Sequence, residues 1–416
     1  MSASGTDSRR EVVLDTAAAV FARQGVRTSV KDIADACGIL PGSLYHHFES
    51  KDALVVELIE RYHDEIDAVA AAAVEAVAEG HGRTTDDLIV EIAESLARCT
   101  RRNRGALLLT LYELPATTGD RFRRPVAAQT EPVERVVLDL VRRGQSEGTY
   151  RRDVDAHRLA TRLCRSMVSA GIRMYGEEGP VPVSPISWGY LRDGVAVTPE
   201  SDPDLDRSPA VRAACSVIGE WRKSGADEDE RMSLVRAVAR AEFSRRGYQA
   251  TTIRDIAAAA GLSTATVHRL IGSKDELLHS VMQSFSTNAS AGWQAVLDAD
   301  SNAVEKLDAL MWVHINLFER FGDEFRIGLA WTLEAPGEVL RLEWSFQPRL
   351  EDLRALLVGG IQAGEMRAPD APVDLQSRCL LEATWMPEEF VRAGARETHL
   401  FGRDTILRGA AVRTPA

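Results

Sequence analysis

Lysine is nearly missing from this chain. Five occur in 416 residues, Lys31, Lys51, Lys223, Lys274 and Lys306, so 45 of the 50 basic residues are arginine. Cysteine is as sparse: Cys37, Cys99, Cys164, Cys215 and Cys379 lie far apart, are odd in number and form no CxxC pair. That pattern argues against a disulfide framework and against a zinc site. No run approaches the ~18 uninterrupted apolar residues of a membrane span. The segment from Met1 to Arg10 holds no apolar signal-peptide core, so a cytoplasmic location and no membrane partner are expected. GxSxG, HExxH, GxGxxG and Walker A patterns are all missing. No catalytic residue, cofactor or metal is therefore nominated, and a protein that is not an enzyme is expected. The net charge of −12 taken alone argues against a nucleic-acid partner. That inference fails once the charge is mapped along the chain.

At ~100–200 residues per domain the length allows two or three domains, and the sequence repeats. Residues 28–54, TSVKDIADACGILPGSLYHHFESKDAL, match residues 251–277, TTIRDIAAAAGLSTATVHRLIGSKDEL, without a gap. A helical stretch ending in Gly precedes each copy, closing at Gly25 and Gly247. A weaker repeat pairs LVRRGQSEGTYRRD (140–153) with LVGGIQAGEMRAPD (357–370). The duplicated unit is thus about 180 residues of mostly helix. Between the units, Pro180, Pro182, Pro185, Pro199, Pro203 and Pro209 suggest a connection, followed by a helix over 210–223.

The spacing inside each strong repeat fits a helix-turn-helix. Ala34 or Ala257 lets two helices approach, Gly38 or Gly261 permits a left-handed turn, and Leu44 or Val267 anchors the second helix. Ser29-x-x-Asp32 and Thr252-x-x-Asp255 are capping-box-like starts, and Ser50 and Ser273 are N-caps of a third helix. Lys51 and Lys274 fall in that helix's first turn, where a cation opposes the dipole unless an anion such as a phosphate lies beside it. A solvated surface lysine is the alternative. Residues 8–52 carry six basic and six acidic groups, whereas residues 231–275 carry eight basic and three acidic, a net +5. The second copy is expected to grip DNA more strongly without regard to sequence.

The segment TSVKDIADACGILPGSLYHHFESKDAL, above all LYHHF followed by SKDAL, resembles the DNA-binding domain of the tetracycline-repressor (TetR/AcrR) transcription regulators. The second copy is similar but has VHRLI where the first has LYHHF. The whole chain resembles tandem members of that family. The resemblance implies an all-α fold of two units, each a three-helix reading head plus a helical effector and dimerisation domain. The expected boundaries are 8–60, 61–179, a linker with a helix over 180–228, 229–283 and 284–416. It also implies a double-stranded DNA operator as partner, read by recognition helices at 41–47 and 264–270. Candidate DNA contacts are Ser29, Lys31, Pro41, Gly42, Ser43, Tyr45, His46 and Lys51 in the first copy. In the second they are Thr252, Arg254, Ser263, Thr264, Thr266, His268, Arg269 and Lys274. Tyr45 matches the family tyrosine that touches a phosphate or a thymine methyl. Leu40-Pro41 replaces the usual Ser or Thr cap, so proline must start that helix.

Five of the seven tryptophans, Trp293, Trp312, Trp331, Trp344 and Trp385, fall in the second effector region. They are the candidate ligand-binding residues, although aromatics at helical positions more often build core. Tyr112, Met167, Met174 and Tyr175 are candidates for a pocket in the first unit. The expected function is a transcription regulator, a repressor released or modulated by a small, apolar effector of unknown identity. One chain is expected to form an internal pseudo-dimer reading an asymmetric operator, with a homodimer as the other arrangement. The competing expectation is a helical protein that has kept the fold but lost DNA reading, acting as an interaction protein or an enzyme.

Overall fold

The computed structural model describes residues 3–24, 28–80, 82–110, 129–173, 183–221, 230–334 and 347–413. Among these residues the protein is helical, with two isolated β-bridges, Tyr150 with Ala411 and Ala196 with Met366.

The first repeat comprises α1 (Ala3–Gln24), α2 (Val30–Cys37), α3 (Pro41–Leu44), α4 (Lys51–Glu79), α5 (Thr85–Arg102), α6 (Arg104–Thr110), α7 (Glu131–Glu147), α8 (Ala156–Arg173) and α9 (Val183–Asp193). Short helices α10 (Asp202–Arg207) and α11 (Pro209–Trp221) follow. The second repeat comprises α12 (Glu230–Arg246), α13 (Ile253–Ala259), α14 (Thr264–Ile271), α15 (Lys274–Leu297), α16 (Ala303–Glu334), α17 (Gln347–Gln362), α18 (Val373–Thr384), α19 (Glu388–Ala393) and α20 (Ala395–Gly402). A π-helical turn over Arg403–Leu407 closes it.

Matching local chemistry makes the two repeats alike. Ser29 with Asp32, Thr84 with Asp87, Thr252 with Asp255 and Ser273 with Glu276 form capping boxes that start α2, α5, α13 and α15. Asn103 (φ −101°, ψ 22°) ends α5, and Phe321 (φ −122°, ψ 34°) kinks α16 at the equivalent place. The segment of α16 beyond Phe321 is thus the counterpart of α6.

The weaker repeat also has a structural basis. The amides of Thr149 and Tyr150 both donate to the Gly144 carbonyl, at 2.8 and 3.1 Å. Those of Glu365 and Met366 do the same to Gly360, at 2.9 and 3.0 Å. This register pairs Gly144 with Gly360, one residue away from the alignment of 140 with 357. Both positions need glycine because a Cβ there would strike the Tyr150 ring or the Met366 side chain.

The region expected to be a linker is largely packed structure. Helix α9 buries Trp188 and Tyr190, and the Tyr190 hydroxyl donates to the Gln376 carbonyl at 3.3 Å. Helix α11 packs on α15 and α16. Three of the prolines start helices rather than loosen the chain: Pro185 lies in the first turn of α9, Pro203 in that of α10, and Pro209 opens α11, whereas Pro199 lies between helices. Pro180 and Pro182 lie outside the described residues.

The repeats embrace through their ends. Val195 N donates to Ile406 O (2.8 Å) and Ala196 N to Leu407 O (3.0 Å). In return Ala410 N donates to Leu191 O (2.9 Å) and Ala411 N to Arg192 O (2.7 Å). Each end then reaches the other repeat, with Arg151 N on Ala410 O and Arg367 N on Val195 O. Beside this crossing, fully buried Arg403 pairs with buried Asp308 at 2.8 Å and with Asp206 at 2.8 Å, and His399 Nε2 lies 2.8 Å from Asp308.

Candidate nucleic-acid interface

Each head is a three-helix arrangement whose turn is set by one glycine. Gly38 and Gly261 both adopt φ 66°, a left-handed conformation that other residues enter only with strain. Behind them Ile33, Ala34, Leu44 and Phe48 are buried in the first head, and Ile256, Ala257, Val267 and Ile271 in the second. Arg10 lies 4.8 Å above the Phe48 ring and pairs with Glu57, tying α1 to the head.

The two recognition helices differ. In the first head α3 is a single turn, because Leu40 offers no side-chain acceptor and Pro41 supplies only a preset φ. The chain continues as turns through His47, with Phe48 N on Leu44 O at 3.0 Å. In the second head Ser263 caps Thr266 N at 3.1 Å, and α14 runs eight residues. The expected span of 264–270 is thus close to the observed helix, whereas that of 41–47 runs three residues beyond the end of α3 at Leu44.

The surfaces follow that difference. Leu40 (76% exposed) and Tyr45 (54%) give the first head an apolar surface, with Gly42 and His46 also exposed and Pro41 and Ser43 half-buried. His47 is half-buried beneath them. The exposure of Leu40 carried no signal in the sequence, where it read as a missing cap. In the second head Ser263, Thr264, His268 and Arg269 are exposed and Thr266 is half-buried. The His268 ring meets the Gly272 carbonyl at 3.2 Å. Lys31 and Arg254 are exposed beside these faces, Lys31 4.0 Å from Asp35.

Several candidates are engaged within the protein. Ser29, Thr252 and Ser263 use their hydroxyls as caps of their own helices. Lys274 turns back onto its own head. Its ammonium donates to the carbonyls of Tyr248 (2.8 Å) and Thr251 (3.0 Å) and lies 4.1 Å from the Tyr248 ring centre. Carbonyl oxygens of the loop between α12 and α13 thus face the cation where the dipole argument placed an anion. Lys51 is half-buried with its ammonium 5.8 Å from the Phe21 ring centre, and burial lowers its pKa against the opposing pull of Asp52 and Asp32.

The tryptophans separate. Trp293 is buried in the core with Nε1 donating to His314 Nε2 at 3.0 Å, and Trp312, half-buried against the core, stacks on His399 at 5.1 Å. Burial pushes His314 down to about 3, so it is neutral and accepts that bond. Trp385 stacks on the other side of His314 at 4.0 Å and alone of these three lines a cavity of 620 Å3. The Trp331 side chain and Trp344 lie outside the described residues, as do Tyr112, Met174 and Tyr175. Met167 is buried and accepts a bond from Ser184 at 3.2 Å.

The cavity lies between the repeats. It is walled by α6 and α8 of the first and by α16, α18 and the Trp385–Arg392 segment of the second. Both reading heads rest on those walls. Helix α1 packs on α6 so closely that a Cβ on Gly105 would come within 2.3 Å of the Ala18 oxygen. Helix α12 is tied to α16 by Arg240 with Glu324 (3.1 Å) and Ser244 with Asp323 (2.9 Å). Arg326 bridges Ser244 (2.8 Å) to Glu388 on the cavity wall (3.3 Å).

Comparison with known proteins agrees with this geometry. The family model described as bacterial regulatory proteins, tetR family, matches residues 13–58 and again 235–281. The HTH-type transcriptional repressor KstR2 of Rhodococcus jostii (strain RHA1) is 34% identical over 198 residues, 46% of this chain and 94% of that protein. KstR2 of Mycobacterium tuberculosis (strain ATCC 25618 / H37Rv) is 30% identical over 208 residues, 45% of this chain and 92% of that protein. A solved structure of the ketosteroid transcriptional regulator KstR2 of Mycobacterium tuberculosis aligns at 23% identity and a TM-score of 0.38, over 44% of this chain and 97% of that one. No helix of the described residues is long and apolar enough to cross a membrane. Less than half of the chain spans almost the whole of either relative, and the head motif occurs twice: the chain belongs to the tetR family of bacterial regulatory proteins, as a DNA-binding transcription regulator with two units in tandem.

Proposed function

We propose that a single chain acts as a self-contained, cytoplasmic repressor without catalytic activity, with heads at 8–60 and 229–283 reading one asymmetric operator. The observation that carries this reading is the reciprocal crossing of residues 191–196 with 406–411, in which each repeat completes the other. A covalently linked partner stands at an effective concentration that reaches millimolar, so pairing within one chain outcompetes pairing between chains. The unlike faces, Leu40 and Tyr45 against Ser263, Thr264, His268 and Arg269, favour unlike half-sites about one helical turn, ~34–36 Å, apart. Base contacts set the sequence read and phosphate contacts set the register.

A small apolar effector regulates this repressor by population shift. α6 and the second half of α16 each carry one head's first helix, and both line the same cavity. A ligand there biases the spacing of the heads to the extent that it prefers one arrangement over the other. The test is footprinting on DNA upstream of the protein's own gene, combined with light scattering. The expected result is one chain of 45.6 kDa on a site that is not a palindrome. A stable dimer of chains on a perfect palindrome overturns the reading, and no protection at any salt concentration favours a protein that has lost DNA reading.

A further inference from the structure

The cavity between the repeats has one wall that its protein surroundings leave uncompensated. Its lining includes Arg162, Arg165, Arg326 and Arg392. Arg165 pairs with Glu134 and Glu389, both at 3.1 Å. Arg326 pairs with Asp323 and Glu388, both at 3.3 Å, and Arg392 also pairs with Glu388. Arg162 differs from all three. It is 1% exposed, its guanidinium donates to the Ala383 carbonyl and the Met386 sulfur, and its Nε meets no acceptor. Among the described residues no carboxylate pairs with it. Glu382, on the same wall, takes a bond from Ser169 at 2.6 Å. Burial, reinforced by neighbouring Arg158, holds its guanidinium below the ordinary arginine range. A buried guanidinium costs several kcal/mol unless a counter-charge is supplied.

We propose that this cavity binds one small amphipathic carboxylic acid per chain, with the carboxylate on Arg162 and the apolar body against Phe318, Phe325 and Trp385. A planar fork facing one carboxylate is the matched geometry for such a pair. A phosphate monoester fits less well, because its second charge would find every other arginine of the wall already neutralised. The 620 Å3 volume is that of a small-molecule site rather than of a macromolecular groove. One ligand per chain follows from the unequal repeats. Leu159 N on Asp155 O and Gln376 N on Pro372 O are equivalent helix-opening bonds, and this register places Cys379 where Arg162 stands. The second repeat therefore has no matching cation. This inference deepens the effector reading above, but binding can be measured without DNA.

The test is calorimetric titration of the full chain with octanoate, decanoate and dodecanoate, each against its alcohol of equal length, with tryptophan fluorescence followed in parallel. At least one acid should bind at one molecule per chain, quench Trp385, and exceed its alcohol at least tenfold. Arg162→Met should abolish that preference while the variant melts no lower than the parent, and Arg162→Lys should retain part of it. If Arg162→Met fails to fold, the Arg162→Lys variant and the acid–alcohol comparison decide. Equal binding of acid and alcohol, two sites per chain, or no binding by any acid overturns the proposal. An acid that binds through Arg162 without releasing operator DNA leaves the site standing and removes the effector reading. DNA binding with no acid binding does the reverse.

Discussion

Gly194 and Gly409 stand back to back where the two repeats cross. A Cβ on Gly194 would come within 2.5 Å of the Gly409 nitrogen, and a Cβ on Gly409 within 2.6 Å of the Gly194 nitrogen. Both have positive φ, 69° and 80°. Each is therefore required twice over, by conformation and by the neighbouring backbone. Either change to alanine is expected to lower stability by at least about 2 kcal/mol in urea unfolding. The two losses should be similar because the crossing is reciprocal; a loss near zero at one of them would mean that the ends do not cross there.

Tyr45 and Lys274 should part company on substitution. Tyr45→Ala removes an exposed ring and is expected to weaken operator binding by about 1–2 kcal/mol with the melting temperature unchanged. Lys274→Met strands two carbonyls and should destabilise the second head by about 1.5–3 kcal/mol even without DNA. Lys51→Ala should also lower the melting temperature, since its ammonium lies against Phe21. Calorimetric melting beside fluorescence anisotropy distinguishes the two kinds of change.

Arg269 is exposed in the second turn of α14 and is expected to reach a guanine edge. Arg269→Ala should relax preference at one base pair of one half-site, by about 1–3 kcal/mol, without touching the other half-site. A uniform loss on every sequence would place the residue on a phosphate instead.

Acid should loosen the junction around Asp308. Burial opposes its ionisation, yet His399 and Arg403 overcome burial and hold its pKa below the ordinary carboxylate value. The stabilisation is therefore complete above about pH 3.9, the unfolded value, and is lost as pH falls through the lower folded value. Urea melts between pH 6 and pH 2 should show this acid limb flattened in Asp308→Asn. That variant should also be about 3–5 kcal/mol less stable at neutral pH, because Arg403 loses its one buried carboxylate and keeps only the more exposed Asp202 and Asp206.

The heads were legible because their information is local. A small residue, a glycine four positions later and an apolar anchor fix the turn wherever they occur, as Ala34, Gly38 and Leu44 do. The crossing was not legible. LRDGVAV and ILRGAAV share too few identities to announce a repeat, and only the matched hydrogen bonds reveal them as equivalents. The carbonyl contacts of Lys274 were not legible, because a helix dipole explains what a cation avoids, not which carbonyls a loop will bring to it. The inward contacts of the tryptophans were not legible either: Trp293 donates to buried His314, and half-buried Trp312 stacks on His399. Arg162 was invisible for a different reason. One arginine among 45 carries no signal until burial and the missing carboxylate single it out.

The crossing also sets an order of events during synthesis. Val412 N donates to Thr149 O and Arg151 N to Ala410 O, so the half of the molecule made first keeps part of its backbone unpaired until residues 410–412 have been made. For most of translation the nascent first repeat is an unfinished object. Removal of residues 406–412 would damage the repeat furthest from them in sequence, because Thr149, Arg151 and residues 191–196 would lose their backbone partners.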